Sequence, residues 1–109
     1  MAYKNFVISE SSKLKRNGAN AVLILSHVGD ACPLNLTYGI WTNSTSQPQC
    51  PDDEMSNLIN SLPEGTVHGV VQGHRHSAVH QYRKNVPFMG NINGGFYFNV
   101  LYLTFNKRK

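Results

Sequence analysis

The sequence predicts an α/β domain in which two helices alternate with two buried strands and an antiparallel meander follows. A continuous apolar run at residues 21–25 and a second apolar strand candidate at residues 67–72 each follow a segment with helical features. Such runs are typical of strands in a parallel sheet that helices cover. The remaining chain alternates loosely and turns at residues 93–95, which favours antiparallel strands. The expected element order is therefore α–β–α–β–β–β–β, in a layered architecture.

Length and composition fit one small domain. The chain has 109 residues, of which 40% are hydrophobic and 15% charged, too few charges for a disordered tail. A domain this small buries only about two-thirds of its unfolded surface, so it is expected to be marginally stable unless a covalent cross-link or a packing partner stabilises it. No apolar run is long enough to span a membrane. The net charge of +4 weakly favours an anionic partner, but the basic end, residues 107–109, predicts a solvated terminus and no nucleic-acid binding.

A first helix is predicted before the strand at residues 21–25. Ser9 or Ser11 can cap it, and Glu10 is favourable in its first turn. Three cations are expected in its last turn: Lys13, Lys15 and Arg16. Gly18 is expected to end the helix in the left-handed conformation. The strand that follows is expected to be buried on both faces.

A second helix is predicted to begin at a cap formed by Asp52 or Asp53 and to end near Pro63. Its apolar residues recur at helical spacing: Met55, Leu58, Ile59 and Leu62. After the second strand, further strands are expected at residues 78–83, 86–89 and 96–105.

The only two cysteines, Cys32 and Cys50, bracket a loop-like insertion at residues 32–50. Both N-x-S/T sequons, at Asn35 and Asn43, lie inside it, which predicts a disulfide, N-glycosylation, and a secretory or extracellular location. The alternative is two unpaired cysteines and chance sequons. Residues 1–6 contain no apolar stretch typical of a signal peptide.

Three histidines follow the two most apolar strands: His27 follows the first, and His74 and His76 follow the second. Ligands of open α/β sheets bind beyond the carboxyl ends of the strands. If the two strands are parallel neighbours, the three imidazoles converge at one edge, and neutral imidazole is a good ligand for divalent transition metals. We therefore predict a metal site at these three residues, with His68 and His80 structural.

Arg75 lies between the second and third of these histidines. Its planar guanidinium is a candidate phosphate contact. The alternative is an exposed side chain that points into solvent.

Two blocks of the sequence resemble the later motifs of calcineurin-like metallophosphoesterases, and in particular of their 5′-nucleotidase branch. They read LKRNGANAVLILSHVG at residues 14–29 and VHGVVQGHRH at residues 67–76. The segments PFMG at residues 87–90 and FYFNVLYLTF at residues 96–105 are also similar to that branch. The resemblance covers most of the chain outside the insertion.

The resemblance implies that residues 1–109 are the C-terminal portion of a phosphoesterase domain, and hence part of a four-layer α/β/β/α sandwich. It implies two divalent metal ions, of Zn, Mn, Fe or Co, with His27 and His74 on one ion and His76 on the other. The implied reaction is hydrolysis of a phosphate monoester, such as a nucleotide, by a metal-activated water.

The earlier motifs of that family, Asp-x-His, Gly-Asp and Gly-Asn-His-Asp/Glu, are absent, as is its nucleoside-binding domain. We therefore expect a fragment that alone is inactive or weakly active, and no catalytic residue is assigned. Asp30 follows the first histidine motif but matches no ligand of the family. The alternative is a non-catalytic remnant that binds metal or phosphate, or packs on a partner, because half of a sandwich exposes an apolar sheet face.

Overall fold

A computed structural model describes residues 2–32, 50–75, 79–91 and 100–106. These residues form a small mixed α/β domain with two helices and a four-stranded mixed sheet. The elements in chain order are α1 (Ala2–Arg16), β1 (Leu23–Ser26), α2 (Glu54–Ser61), β2 (Gly69–Gln72), β3 (Val79–Arg83) and β4 (Val86–Gly90).

The strands lie in the order β1-β2-β4-β3. β1 and β2 are parallel neighbours, paired from Leu23 with Gly69 to Ser26 with Gln72, which confirms the parallel pair at the start of the sheet. β4 is parallel to β2 and antiparallel to β3. The predicted meander is wrong in this respect, because β4 rather than β3 lies beside β2. β4 is the more apolar and more buried strand, so it takes the inner position and leaves the alternating β3 at the edge.

The turn between β3 and β4 is formed by Lys84 and Asn85, which have φ angles of 50° and 66°. Positive φ at both central residues is the requirement of the two-residue type I′ hairpin. The turn predicted at residues 93–95 lies outside the described residues. The last predicted strand, at residues 96–105, is wrong where it is described, since residues 100–106 form neither helix nor strand and pair with none of the described strands.

Helix α1 begins at Ala2, well before the predicted cap at Ser9 or Ser11. Ser11 lies within the helix, and its side chain is buried. Its hydroxyl donates to the carbonyl oxygen of Thr66 at 2.5 Å, so this serine makes a tertiary contact and does not cap the helix. The predicted end of the helix is confirmed. Its last turn carries three cations, and Gly18 follows with φ of 105°.

Helix α2 is capped by Asp53, as predicted. The Asp53 carboxylate accepts from the Glu54 N–H at 2.9 Å, and the Asp53 N–H donates to Ser56 Oγ at 2.7 Å. The apolar side of the helix lies in the core with residues of β2, β3 and β4: Met55, Leu58, Ile59, Leu62, Val70, Val79 and Phe88.

Only one face of the sheet is covered by the two helices. Ile24 of β1 packs against the core cluster, which also receives Val7 and Ile8 of α1. The alternate residues of β1 point the other way: Leu23 is 48% exposed and Leu25 is 86% exposed. The prediction that β1 is buried on both faces is therefore wrong, because helices from the described part of the chain pack on one side only.

Candidate metal centre at the ends of β1 and β2

The loops after β1 and β2 open at the same edge of the sheet because the two strands are parallel. The ladder extends by one bond past the strand ends, where the Gly73 N–H donates to the Ser26 carbonyl oxygen at 2.9 Å. His27 and His74 follow directly. Nδ1 of His74 lies 3.3 Å from Nε2 of His27, and the ring centroids are 4.9 Å apart with an interplanar angle of 54°. The structure thus brings these two of the three predicted ligands together.

His74 lies at the centre of a very tight turn. Its φ angle is 75°, and the Arg75 N–H donates to the Gly73 carbonyl oxygen at 2.8 Å. A hydrogen bond across three residues with positive φ at the central one defines the rare and strained form of γ-turn. Both imidazoles are exposed, so the site is open to solvent.

Arg75 is exposed, as the sequence suggests, but its side chain is anchored at two points. Its Nε donates to the Gly29 carbonyl oxygen at 3.1 Å, and its Nη2 lies 2.6 Å from Oδ2 of Asp53. The side chain therefore links the loop after β2 to the loop after β1 and to the cap of α2. A contact between Arg75 and phosphate stays a prediction.

Asp30 is buried and connects the loop after β1 to the first turn of α2. Its carboxylate accepts from the backbone N–H of Met55 at 2.9 Å and from that of Ser56. Its own N–H donates to Gln72 Oε1 at 3.1 Å, and Gln72 Nε2 donates to its carbonyl oxygen at 2.6 Å. Sequence reasoning missed this role. The available signal was an aspartate shortly after a strand, since helix N-termini attract carboxylates.

Cys32 and Cys50 form a disulfide with a Cα–Cα distance of 5.2 Å, which confirms that prediction. The bond is buried and joins the two ends of the insertion at residues 32–50. Arg83 of β3 holds the chain at Cys50, since its Nη2 donates to the Cys50 carbonyl oxygen at 2.8 Å and its Nε pairs with Asp52 at 3.2 Å. A disulfide is compatible with an extracellular or secretory location. None of the helices in the described ranges is long and apolar enough to cross a bilayer.

Three of the predicted site residues, His76, Asn35 and Asn43, lie outside the described residues. His68 has the structural role that the sequence predicts. Its Nδ1 accepts from the Val22 N–H at 3.0 Å, and its own N–H donates to the Val22 carbonyl oxygen at 2.8 Å. His80 lies in β3 opposite Met89.

The spacing of the two imidazoles fits a single metal ion. Two nitrogens bound at the usual Zn–N length in a tetrahedral site are about 3.3 Å apart, and the His27 and His74 nitrogens are 3.3 Å apart. Among the residues that the structure describes, no group of three His, Cys, Asp or Glu side chains could hold a metal ion. His76 is not one of those residues. The pair can therefore supply two ligands of an ion, and a third must come from elsewhere.

The chain was compared with models of protein families, with curated proteins and with solved structures, and none of them matches. Membership of the metallophosphoesterase superfamily is therefore not shown. The resemblance of the two histidine motifs to that family stays a prediction.

Proposed function

We propose that the chain is part of a dinuclear-metal phosphoesterase, calcineurin-like and of the 5′-nucleotidase branch, that hydrolyses phosphate monoesters. One observation carries the proposal. Two histidines from separate motifs have ring nitrogens 3.3 Å apart at the carboxyl ends of two parallel strands. The motif resemblance assigns these same residues, His27 and His74, to one metal ion.

In this proposal His27 and His74 hold one divalent ion and His76 holds the other. Imidazole suits Zn, Mn, Fe and Co, so the ligand set does not select among them. When bound, such ions activate water and balance the charge of the phosphate oxygens. Because Nη2 of Arg75 is bound to Asp53, a phosphate would either bind Nη1 of Arg75 or compete with that carboxylate.

The proposal also assigns the chain, residues 1–109, to the C-terminal portion of a four-layer α/β/β/α sandwich, with the insertion at residues 32–50. The described sheet supports one α/β half of such a sandwich, since both helices pack on one face. Leu23 and Leu25 lie on the other face, where Leu23 is about half exposed and Leu25 is largely exposed. In the complete sandwich, a second sheet would cover these side chains.

Metal binding and hydrolysis test the proposal together. We expect the chain to bind Mn²⁺, Co²⁺ or Zn²⁺ weakly and to hydrolyse p-nitrophenyl phosphate little or not at all, because three imidazoles provide no bridging carboxylate. His27→Ala and His74→Ala should each weaken Co²⁺ binding. His80→Gln is the matched control, since it removes an imidazole from a distant strand. Co²⁺ binding that neither alanine variant changes would overturn the assignment.

A secretory or extracellular location completes the proposal. The Cys32–Cys50 disulfide supports it, and the sequons at Asn35 and Asn43 predict N-linked glycans. Expression through a eukaryotic secretory pathway should yield a product whose mass falls on treatment with an N-glycosidase. Asn35→Gln together with Asn43→Gln should abolish that mass change. A secreted product without glycans would contradict this part of the proposal.

A second candidate function, a non-catalytic module that packs on a partner, is favoured by exposed apolar side chains on the face of the sheet opposite the helices. Leu25 is 86% exposed, and Tyr82 of β3 is 48% exposed. The proposed occupant is the other half of the sandwich, carried on another segment or chain. Sedimentation and the binding of a hydrophobic dye test this together. A monomer that binds no dye would contradict an exposed apolar face.

A further inference from the structure

His74 is held in a backbone conformation that histidine rarely adopts. Its φ angle is 75°, although Gly73, the residue before it, is the one that could take positive φ without steric cost. Such a conformation is strained for a non-glycine residue and persists only where the surroundings hold it. The turn must therefore be fastened by contacts outside itself.

The turn is anchored once on each side. On the amino-terminal side, the Gly73 N–H bonds to the Ser26 carbonyl oxygen and continues the parallel ladder. On the carboxyl-terminal side, the Arg75 side chain reaches the Gly29 carbonyl oxygen and the Asp53 carboxylate. His74 is at the apex between these two anchors.

The second anchor is itself rigid. Asp53 caps α2 through its other carboxylate oxygen, which accepts from the Glu54 N–H. Gly29 precedes Asp30, whose buried carboxylate is bound to the same helix. Arg75 can serve both acceptors at once because Nε and Nη2 lie on one edge of a planar guanidinium, a geometry that the ammonium group of lysine lacks.

We propose that Arg75 is a positioning residue that holds the strained turn and thereby keeps the imidazole of His74 beside that of His27. The positioning role rests on the contacts of Arg75 and does not require a metal. Its consequence for metal affinity rests on the proposed function. Without the guanidinium, the turn relaxes to negative φ and the two rings separate.

The first test uses the metal-free protein. Nuclear Overhauser contacts between the ring protons of His27 and His74 should be present in the parent chain and absent in Arg75→Ala. Asp53→Ser retains an oxygen that can cap α2 but removes the ion pair, so it should weaken the ring contacts and leave the helix intact. Arg16→Ala is the control, since it removes an exposed guanidinium far from the turn.

Unchanged ring contacts in a folded Arg75→Ala protein would overturn the proposal. If Arg75→Ala fails to fold, Asp53→Ser and Arg75→Lys carry the test. Intact ring contacts in both of these variants would overturn the proposal equally, because neither retains the two-point anchor.

The second test measures Co²⁺ affinity from its absorption spectrum. Loss of a group that orients a ligand typically weakens metal binding by about 10–100-fold, and we expect this in Arg75→Ala, with a smaller loss in Arg75→Lys and none in Arg16→Ala. If the parent chain binds no Co²⁺ but Arg75→Ala still loses the ring contacts, the positioning role stands and the proposed function fails. If Co²⁺ binds and the ring contacts survive in Arg75→Ala, the proposed function stands and the positioning role fails.

Discussion

Both carboxylate oxygens of Asp30 accept hydrogen bonds from the backbone N–H of Ser56, at 3.2 and 3.1 Å. This contact joins the loop after β1, which carries His27, to the first turn of α2. Asp53, the cap of that helix, is also the partner of Arg75. The loops that carry His27 and His74 are therefore connected to the N-terminus of α2. Substitutions at the helix cap should change the positions of the two imidazoles.

Removal of the Asp30 carboxylate should destabilise the fold. Asp30→Ala leaves the buried Met55 N–H without its partner and removes one of the two acceptors of the Ser56 N–H, which costs about 1–3 kcal/mol of unfolding free energy. Urea unfolding followed by circular dichroism measures this. Glu10→Ala is the control, because the exposed Glu10–Lys13 pair should contribute less than about 1 kcal/mol. Equal small losses in the two variants would show that Asp30 does not hold the helix.

The disulfide should contribute a large share of the stability. Its cysteines are separated by 18 positions, and closing a loop of this size stabilises a fold by about 3 kcal/mol on the chain-entropy model. Cys32→Ser together with Cys50→Ser should lower the unfolding free energy by that amount. Adding a reductant should destabilise the parent chain similarly and leave the double variant unchanged. A reductant effect on the double variant would point to another cause.

Gly29 should tolerate no side chain. A Cβ there would lie 2.5 Å from Cδ of Gln72, whose amide is tied to Asp30 on both sides. We expect Gly29→Ala to cost about 1–3 kcal/mol through overpacking. Gly73→Ala is the matched control, since the nearest atom to its Cβ, the Ser26 carbonyl oxygen, would be 3.9 Å away. Thermal melts compare the two, and an equal loss would rule out the steric explanation.

The two sides of β1 should respond differently to substitution. Leu25 is exposed, so Leu25→Ser should change the unfolding free energy by less than about 0.5 kcal/mol while reducing hydrophobic dye binding and self-association. Ile24 packs against the core, so Ile24→Ala should cost about 2 kcal/mol. Chemical denaturation and sedimentation velocity provide these values. A strong loss of stability in Leu25→Ser would mean that this face is covered.

The sequence predicted the features that depend on neighbours in the chain. The cap at Asp53, the stop at Gly18 and the apolar spacing of α2 follow from local preferences, and the structure has all three. The start of α1 was missed because Ser11 is a good capping residue in isolation. In the fold its hydroxyl binds Thr66, a partner 55 positions away that no local pattern reveals.

The sequence alone predicted two helices, two apolar strands that end in histidine motifs, and a possible disulfide between the two cysteines, which the structure contains. It also implied that His27 and His74 converge if the two strands are parallel neighbours, and the structure pairs the strands in this way. Three features became visible only in the folded chain: β4 lies between β2 and β3, one face of β1 stays exposed, and Arg75 and Asp30 connect the histidine loops to α2. These outcomes depend on contacts between distant residues, whose free energies are set by packing and burial and not by the order of neighbouring side chains.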